Sequence, residues 1–189
     1  MAQAKLIVIS APSGCGKTTI VREILRRHPE MKFSVSATTR TQRKGEIDGK
    51  DYFFLTKDEF EQRIKRGELV EWEHIYSDYY GTLKSEVDRA LSTSTSMLFD
   101  IDVKGALSVK KKYPEEAILI FIQPPSFEIL RQRLANRKTE SEDVVRRRME
   151  RVPMELEKGK EFDHRVVNDN LQTAVDEVEE IISRAMRRE

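Results

Sequence analysis

The stretch Ala11-Pro12-Ser13-Gly14-Cys15-Gly16-Lys17-Thr18 has the residue types and spacing of a loop built to hold phosphate. Its glycines let the backbone curl so that successive N–H groups converge on an anion, and a helix start behind them adds the positive end of its dipole. Lys17 can then reach the β- and γ-phosphates of a nucleotide, and the Thr18 hydroxyl can bind Mg²⁺. The usual pattern begins with Gly where this chain has Ala11, which narrows the allowed backbone angles without forbidding a turn. Cys15 lies in the same loop beside the helix start, where a thiol pKa tends to fall. The favoured reading is nevertheless a small, inert loop residue, as most lone cysteines are. The sharper hypothesis beside it is faster alkylation than a model thiol, with protection by ATP.

Two further groups of residues carry charge in a pattern that suggests chemistry. Between Glu68 and Asp102 eight acids face only Lys84 and Arg89, whereas between Arg131 and Arg151 eight bases face Glu140, Glu142, Asp143 and Glu150. The whole chain, with 34 Lys+Arg against 33 Asp+Glu, nets only +1, which argues against a general nucleic-acid binder. Local sign is therefore more informative than the total.

The elements that must position these residues follow from the apolar pattern. Leu6 to Ile9, Ser96 to Ile101 and Ala117 to Ile122 read as fully buried parallel strands, and Arg165 to Val167 as a shorter one. Helical stripes follow them: Ile20, Val21, Ile24 and Leu25; Val103 to Lys112; Ile129, Leu130 and Leu134 after Pro124-Pro125-Ser126; and Leu171 to Ala185, capped by Asn170. That alternation implies an α/β fold, a parallel sheet with helices on both faces. Residues 33–90 break the rhythm. Phe33 to Ser36, Tyr52 to Leu55 and Leu69 to Tyr76 read as strands of a small inserted mixed sheet, with a helix from Asp58 to Arg66 behind a Thr56/Glu59 capping box. A second box, Thr139 with Glu142, precedes a charged helix from Asp143 to Lys158. At 189 residues the chain fits one domain with small insertions. The longest apolar run is far short of the roughly 20 residues of a membrane span, and the start is too short for a signal-peptide core. A lone cysteine agrees with a reducing cytoplasm.

Beyond the phosphate loop, the run from Phe33 to Arg43, then Gly45-Glu46 and Gly49-Lys50-Asp51-Tyr52, closely resembles the monophosphate site of guanylate kinases. So do Glu71-Trp72, Tyr79-Tyr80-Gly81-Thr82 and Asp100-Ile101-Asp102, in order over nearly the whole chain. The resemblance implies a P-loop NTPase-type core at 1–32, 92–130 and 159–189, a GMP-binding region at 33–91 and an arginine-rich helical lid at 131–158. It implies that Arg40, Arg43 and Tyr52, with Tyr80 assisting, hold the GMP phosphate, and that Ser36, Glu71, Thr82 and Asp102 read guanine. Arg133, Arg137 and Arg148 match lid arginines that close on the ATP phosphates, although the family usually has glycines where this chain has Asn136 and Lys138. Asn168 matches a residue touching adenine. Asp100 reads as an outer-shell Mg²⁺ partner rather than a base.

The implied reaction is ATP + GMP to ADP + GDP, with dGMP a further acceptor and neither nucleic acid nor membrane as partner. Three other readings remain to be weighed. A sugar-phosphate kinase would need no guanine reader, and a catalytically inactive phosphopeptide module would need no Lys17, Thr18 or lid arginines. A regulatory GTPase would want an Asn-Lys-x-Asp segment, which is missing.

Overall fold

The computed structural model describes residues 4–75, 77–135 and 142–187. Strand β1 (Leu6–Ser10) is buried along its whole length. Alternate side chains of a strand point to opposite faces, so Ile7 and Ile9 pack into one apolar cluster, and Leu6 and Val8 into another. Burial of each such side chain contributes roughly 1.5–3 kcal/mol.

Around β1 runs a five-stranded sheet in the order β2 (Lys32–Phe33), β7 (Met97–Asp100), β1, β8 (Ala117–Gln123) and β9 (His164–Val167), with every pairing parallel. Helices α1 (Lys17–Arg27), α5 (Phe127–Ala135) and α7 (Leu171–Arg187) supply the first cluster with Ile20, Ile24, Leu130, Val175 and Val178. Helices α3 (Lys84–Ser92) and α4 (Val103–Lys112) supply the second with Val87, Ala106 and Val109. From β1 the chain winds first toward β2 and β7, and later to the other side through β8 and β9. The carboxyl end of β1 is thus the switch point at which open α/β sheets take ligands, and the loop 11–18 sits there. The Asn170 cap holds, its Oδ1 accepting from the Thr173 N–H at 3.1 Å.

A second, mixed sheet has the order β4 (Phe53–Phe54), β3 (Ala37–Thr38), β6 (Asp78–Leu83) and β5 (Leu69–Ile75). Helix α2 (Lys57–Lys65) opens with the expected Thr56/Glu59 capping box, and its Phe60 is buried and stacked on Tyr79 at 5.2 Å. One expectation is corrected here and another holds. No single strand covers Phe33 to Ser36: Phe33 pairs with Leu98 in the large sheet, residues 34–36 belong to no strand, and Ala37 beyond them pairs with Phe53 and Gly81 in the small sheet. The run read as one strand over Leu69 to Tyr76 is half of a hairpin whose return strand, β6, leads straight into α3. Helix α6 (Glu142–Gly159) lies where the charged helix was read. Thr139, Arg137, Asn136 and Lys138 lie outside the described residues.

Candidate active site

The loop after β1 reverses direction at Gly14 (φ 92°) and Gly16 (φ 82°). Left-handed angles are needed at those two positions and not at Ala11, so alanine fits there without strain. Gly16 is the N-cap of α1 and no side chain caps the helix, which leaves its first N–H groups for an anion. Above the loop lies a cavity of about 400 Å³ lined by Ala11, Pro12, Ser13, Gly14, Gly16, Lys17 and Thr18, with Asp102, Arg148, Arg151 and Glu155 on its walls. Arg148 donates to Ser13 Oγ at 2.7 Å.

Beneath the loop, Cys15 takes the favoured inert role and Asn168 departs from expectation. Cys15 is fully buried, and burial pushes its thiol up to about 12, outweighing the nearby Arg133 charge. The dipole at the helix start acts on the loop's outer surface, whereas this side chain turns into the core. Iodoacetamide at pH 8 is therefore expected to label Cys15 only on unfolding, at a rate that ATP changes only through stability. Rapid labelling of the native protein would contradict the burial. Asn168, expected against adenine, is also buried and donates from Nδ2 to the Cys15 carbonyl at 2.7 Å. An added Cβ on Gly16 would lie 2.5 Å from that same Nδ2, so the carboxamide is a prop beneath the loop. Arg133 in turn donates to the Asn168 carbonyl at 2.9 Å and to the Asp169 carbonyl at 3.4 Å, and it does not line the cavity.

A second cavity, of about 260 Å³, is lined by Lys17, Phe33, Ser34, Ser36, Asp51, Tyr52 and Asp100. Lys17 therefore lines both cavities. Its ammonium is ion-paired with Asp100 at the end of β7 and lies 3.4 Å from the Ile101 carbonyl. The cationic wall beyond is organised by a residue without an assigned role in the sequence reading: Glu46 accepts from Arg40 and from the Arg43 backbone N–H, both at 2.7 Å. The Arg40 guanidinium also lies over the Tyr52 ring at 5.2 Å, and Tyr52 meets Tyr80 edge-on at 6.2 Å. Burial raises the Tyr52 phenol above its ordinary pKa, so it stays a donor at neutral pH. Arg43 is exposed on the loop.

On the hairpin, Glu71 and Thr82 are register partners, both buried, and the Thr82 hydroxyl donates to Glu71 Oε1 at 2.6 Å. Burial pushes the Glu71 carboxyl up to about 7. The Thr82 hydroxyl opposes that rise, and the negative charges of Asp102 and Glu73 reinforce it. The neighbouring helix tolerates this carboxyl because Gly105 has no Cβ; one placed there would sit 2.8 Å from Glu71 Oε2. Asp102 caps α4, accepting from the N–H groups of Lys104 and Gly105 at 2.7 and 3.2 Å. The structure thus brings Arg40, Tyr52 and Tyr80 together next to Ser36, and pairs Glu71 with Thr82 in a buried polar group beside Asp102. Arg137 lies outside the described residues.

The chain is similar to known proteins along nearly its whole length. Residues 3–185 match the family model described as guanylate kinase. A guanylate kinase from Chlorobium luteolum is 46% identical over 174 residues, covering 92% of this chain and 88% of the relative. One from Thermotoga maritima is 47% identical over 180 residues, covering 95% and 86%. The crystal structure of guanylate kinase from Anaplasma phagocytophilum superposes with a TM-score of 0.79 at 28% identity, covering 99% of this chain and 88% of that one. A gluconokinase from Sinorhizobium meliloti, with a TM-score of 0.53 and 14% identity, shares the fold alone.

Proposed function

The chain belongs to the guanylate kinase family, and we propose that it moves the γ-phosphoryl group of ATP onto GMP, with Lys17 at the crossing point. The observation that carries this reading is that Lys17 lines both the phosphate-loop cavity and the cavity next to Arg40, Tyr52 and Ser36. A donor phosphate on the loop and an acceptor phosphate on the arginines would meet at one ammonium.

A monophosphate has its second pKa near 6, so the acceptor oxygen is already ionised at neutral pH and no base is needed. The site has to align two polyanions and neutralise the charge spread over the transferring group. The Arg40 guanidinium would leave Glu46 for the acceptor phosphate and the exposed Arg43 side chain would turn onto it, where guanidinium forks give a bidentate grip, and the Tyr52 and Tyr80 phenols complete it. Lys17 and Arg148 face the donor phosphates; Arg133 and Arg137 join them when the lid closes and excludes water. The Thr18 hydroxyl and, through water, the Asp100 carboxylate would hold Mg²⁺. That oxygen donor set, completed by phosphate and water, fits a small hard cation delivered on the nucleotide. Once bound, the ion neutralises phosphate charge.

For the base, the Glu71 carboxylate accepts from guanine N1–H and the exocyclic amine, Asp102 accepts from that amine, and the Ser36 hydroxyl donates to O6, joined by that of Thr82 as it turns from Glu71 Oε1 and frees that oxygen for guanine. Adenine presents the opposite pattern on that edge, and each buried mismatch costs about 1–3 kcal/mol. None of these groups reads the ribose 2′-hydroxyl, so dGMP is accepted as well. The working pieces are the core at 1–32, 92–130 and 159–189, the acceptor region at 33–91 with its first boundary moved past Phe33, and the lid at 131–158. No described helix is long and apolar enough to cross a membrane. A lone, buried thiol suits the cytoplasm, where both nucleotides occur. Nucleic acid is not a partner in this reading.

The test is ADP release from ATP/Mg²⁺ with GMP, dGMP, AMP, UMP, CMP and ribose 1,5-bisphosphate. Activity with GMP and dGMP is expected. Activity confined to the sugar phosphate would overturn the assignment.

A further inference from the structure

Arg151 stands on α6 one turn beyond Arg148, and both line the phosphate-loop cavity. Its guanidinium lies between two carboxylates, 3.6 Å from Glu73 Oε1 on β5 and 3.7 Å from Glu155 Oε1 on its own helix. These are ion-pair distances without a hydrogen bond. Where this chain uses an arginine to tie two elements together, the contact closes: Arg27 of α1 meets Asp176 of α7 at 2.8 Å. Charge-assisted pairs that hold a fold together usually do.

The carboxylates are equally underused. Glu73 Oε1 has Lys104 Nζ at 3.2 Å, but Glu73 Oε2 is buried with no hydrogen-bond partner among the described residues. Glu155 is 9% exposed and sits on the cavity wall. A cation held loosely by two acids, at the mouth of an anion cavity, is placed to exchange partners without a rotamer search. Glu73 also follows Glu71 by two positions on β5, so the restraint on Arg151 comes from the strand that reads the base.

We propose that Arg151 is a further phosphate ligand of the nucleotide in the phosphate-loop cavity, and that Glu73 and Glu155 are positioning residues that hold its guanidinium at the wall. The proposal rests on the reading of that cavity as the ATP site. The competing role is charge neutralisation, in which Arg151 only offsets the two acids.

Calorimetric titration with AMP, ADP and ATP in Mg²⁺ separates them. A phosphate ligand gives Arg151→Gln a loss that grows with phosphate number: little for AMP, and about tenfold for ATP, equivalent to about 1.4 kcal/mol. Arg151→Lys restores part of it. Glu73→Gln shows a smaller loss in the same order, and adding it to Arg151→Gln costs nothing more. Equal losses for all three nucleotides, or unchanged ATP affinity with a lowered Tm, would overturn the proposal and assign neutralisation. Wild-type protein that binds no ATP would sink the site reading itself. Wild-type binding that Arg148→Gln weakens and Arg151→Gln does not would sink only the inference.

Discussion

Lys17→Met is expected to lower kcat for GMP phosphorylation by about 10³-fold or more, roughly 4 kcal/mol of transition-state stabilisation, while GMP affinity changes by only a few-fold. Methionine keeps most of the lysine stem and removes the charge. The side chain is 23% exposed, so the fold survives. Two consequences follow from the ion pair with Asp100. The variant loses the one cation that lines both cavities among the described residues, and it leaves the Asp100 carboxylate facing the incoming polyphosphate. Repulsion from that carboxylate weakens ATP binding beyond the direct loss, so Lys17→Met/Asp100→Asn should recover ATP affinity in part without recovering kcat. Steady-state kinetics with GMP titrated by calorimetry provide the check. A fall in GMP affinity as large as the fall in kcat would reassign Lys17 to acceptor binding.

The chemistry carried by contiguous residues was legible in the sequence, because a phosphate loop is a local structure: Gly14, Gly16, Lys17 and Thr18 need only a strand before them and a helix after. The large sheet was legible for a similar reason, since strands buried on both faces read as unbroken apolar runs. What depends on distant partners was not. Cys15 was read as inert only on the general ground that most lone cysteines are; its burial is set by the core it turns into and its carbonyl is held by Asn168, 153 residues away. Asn168 itself was legible as polar and terminal to a strand, with nothing local to say that it points beneath the loop rather than at a base. Phe33 was grouped with the insert because Phe33 to Ser36 alternates like one of its strands, yet its backbone pairs with Leu98 in the large sheet. The hairpin strand β6 was hidden because Tyr79, Tyr80, Gly81 and Thr82 read as a motif before they read as a strand. Glu46 stood in the family motif without a role, and Glu73 carried no signal beyond a negative charge. Their partners, Arg40 and Arg151, became visible only once the loop closed and α6 packed beside β5.

Glu71→Gln should separate recognition from stability, moving them in opposite directions. The Glu71 carboxyl, pushed up to about 7 by burial, keeps its proton in the folded chain over a range in which the unfolded chain has lost it. The folded state thus binds more protons than the unfolded state from about pH 4.5 to 7, and stability falls as pH rises through that window. Above it the cost of ionised Glu71 is complete, on the order of 3 kcal/mol. Glutamine has nearly the same shape, keeps an oxygen for the Thr82 hydroxyl and never ionises. At pH 8 the variant should therefore melt several degrees higher than the parent, a gain that shrinks as the pH approaches 5. Recognition moves the other way. The carboxylate is the acceptor for two guanine donors, and an amide offers one acceptor and one donor, so kcat/KM for GMP should fall by about 10²–10³ with KM for ATP little changed. The parent's kcat/KM for GMP should also rise between pH 6 and 8 as Glu71 ionises. The variant should retain only the ionisation of the GMP phosphate near pH 6, which both proteins share. An unchanged preference for GMP over AMP, or an identical pH profile in the two proteins, would remove Glu71 from base reading and leave it a buried acid that the hairpin tolerates.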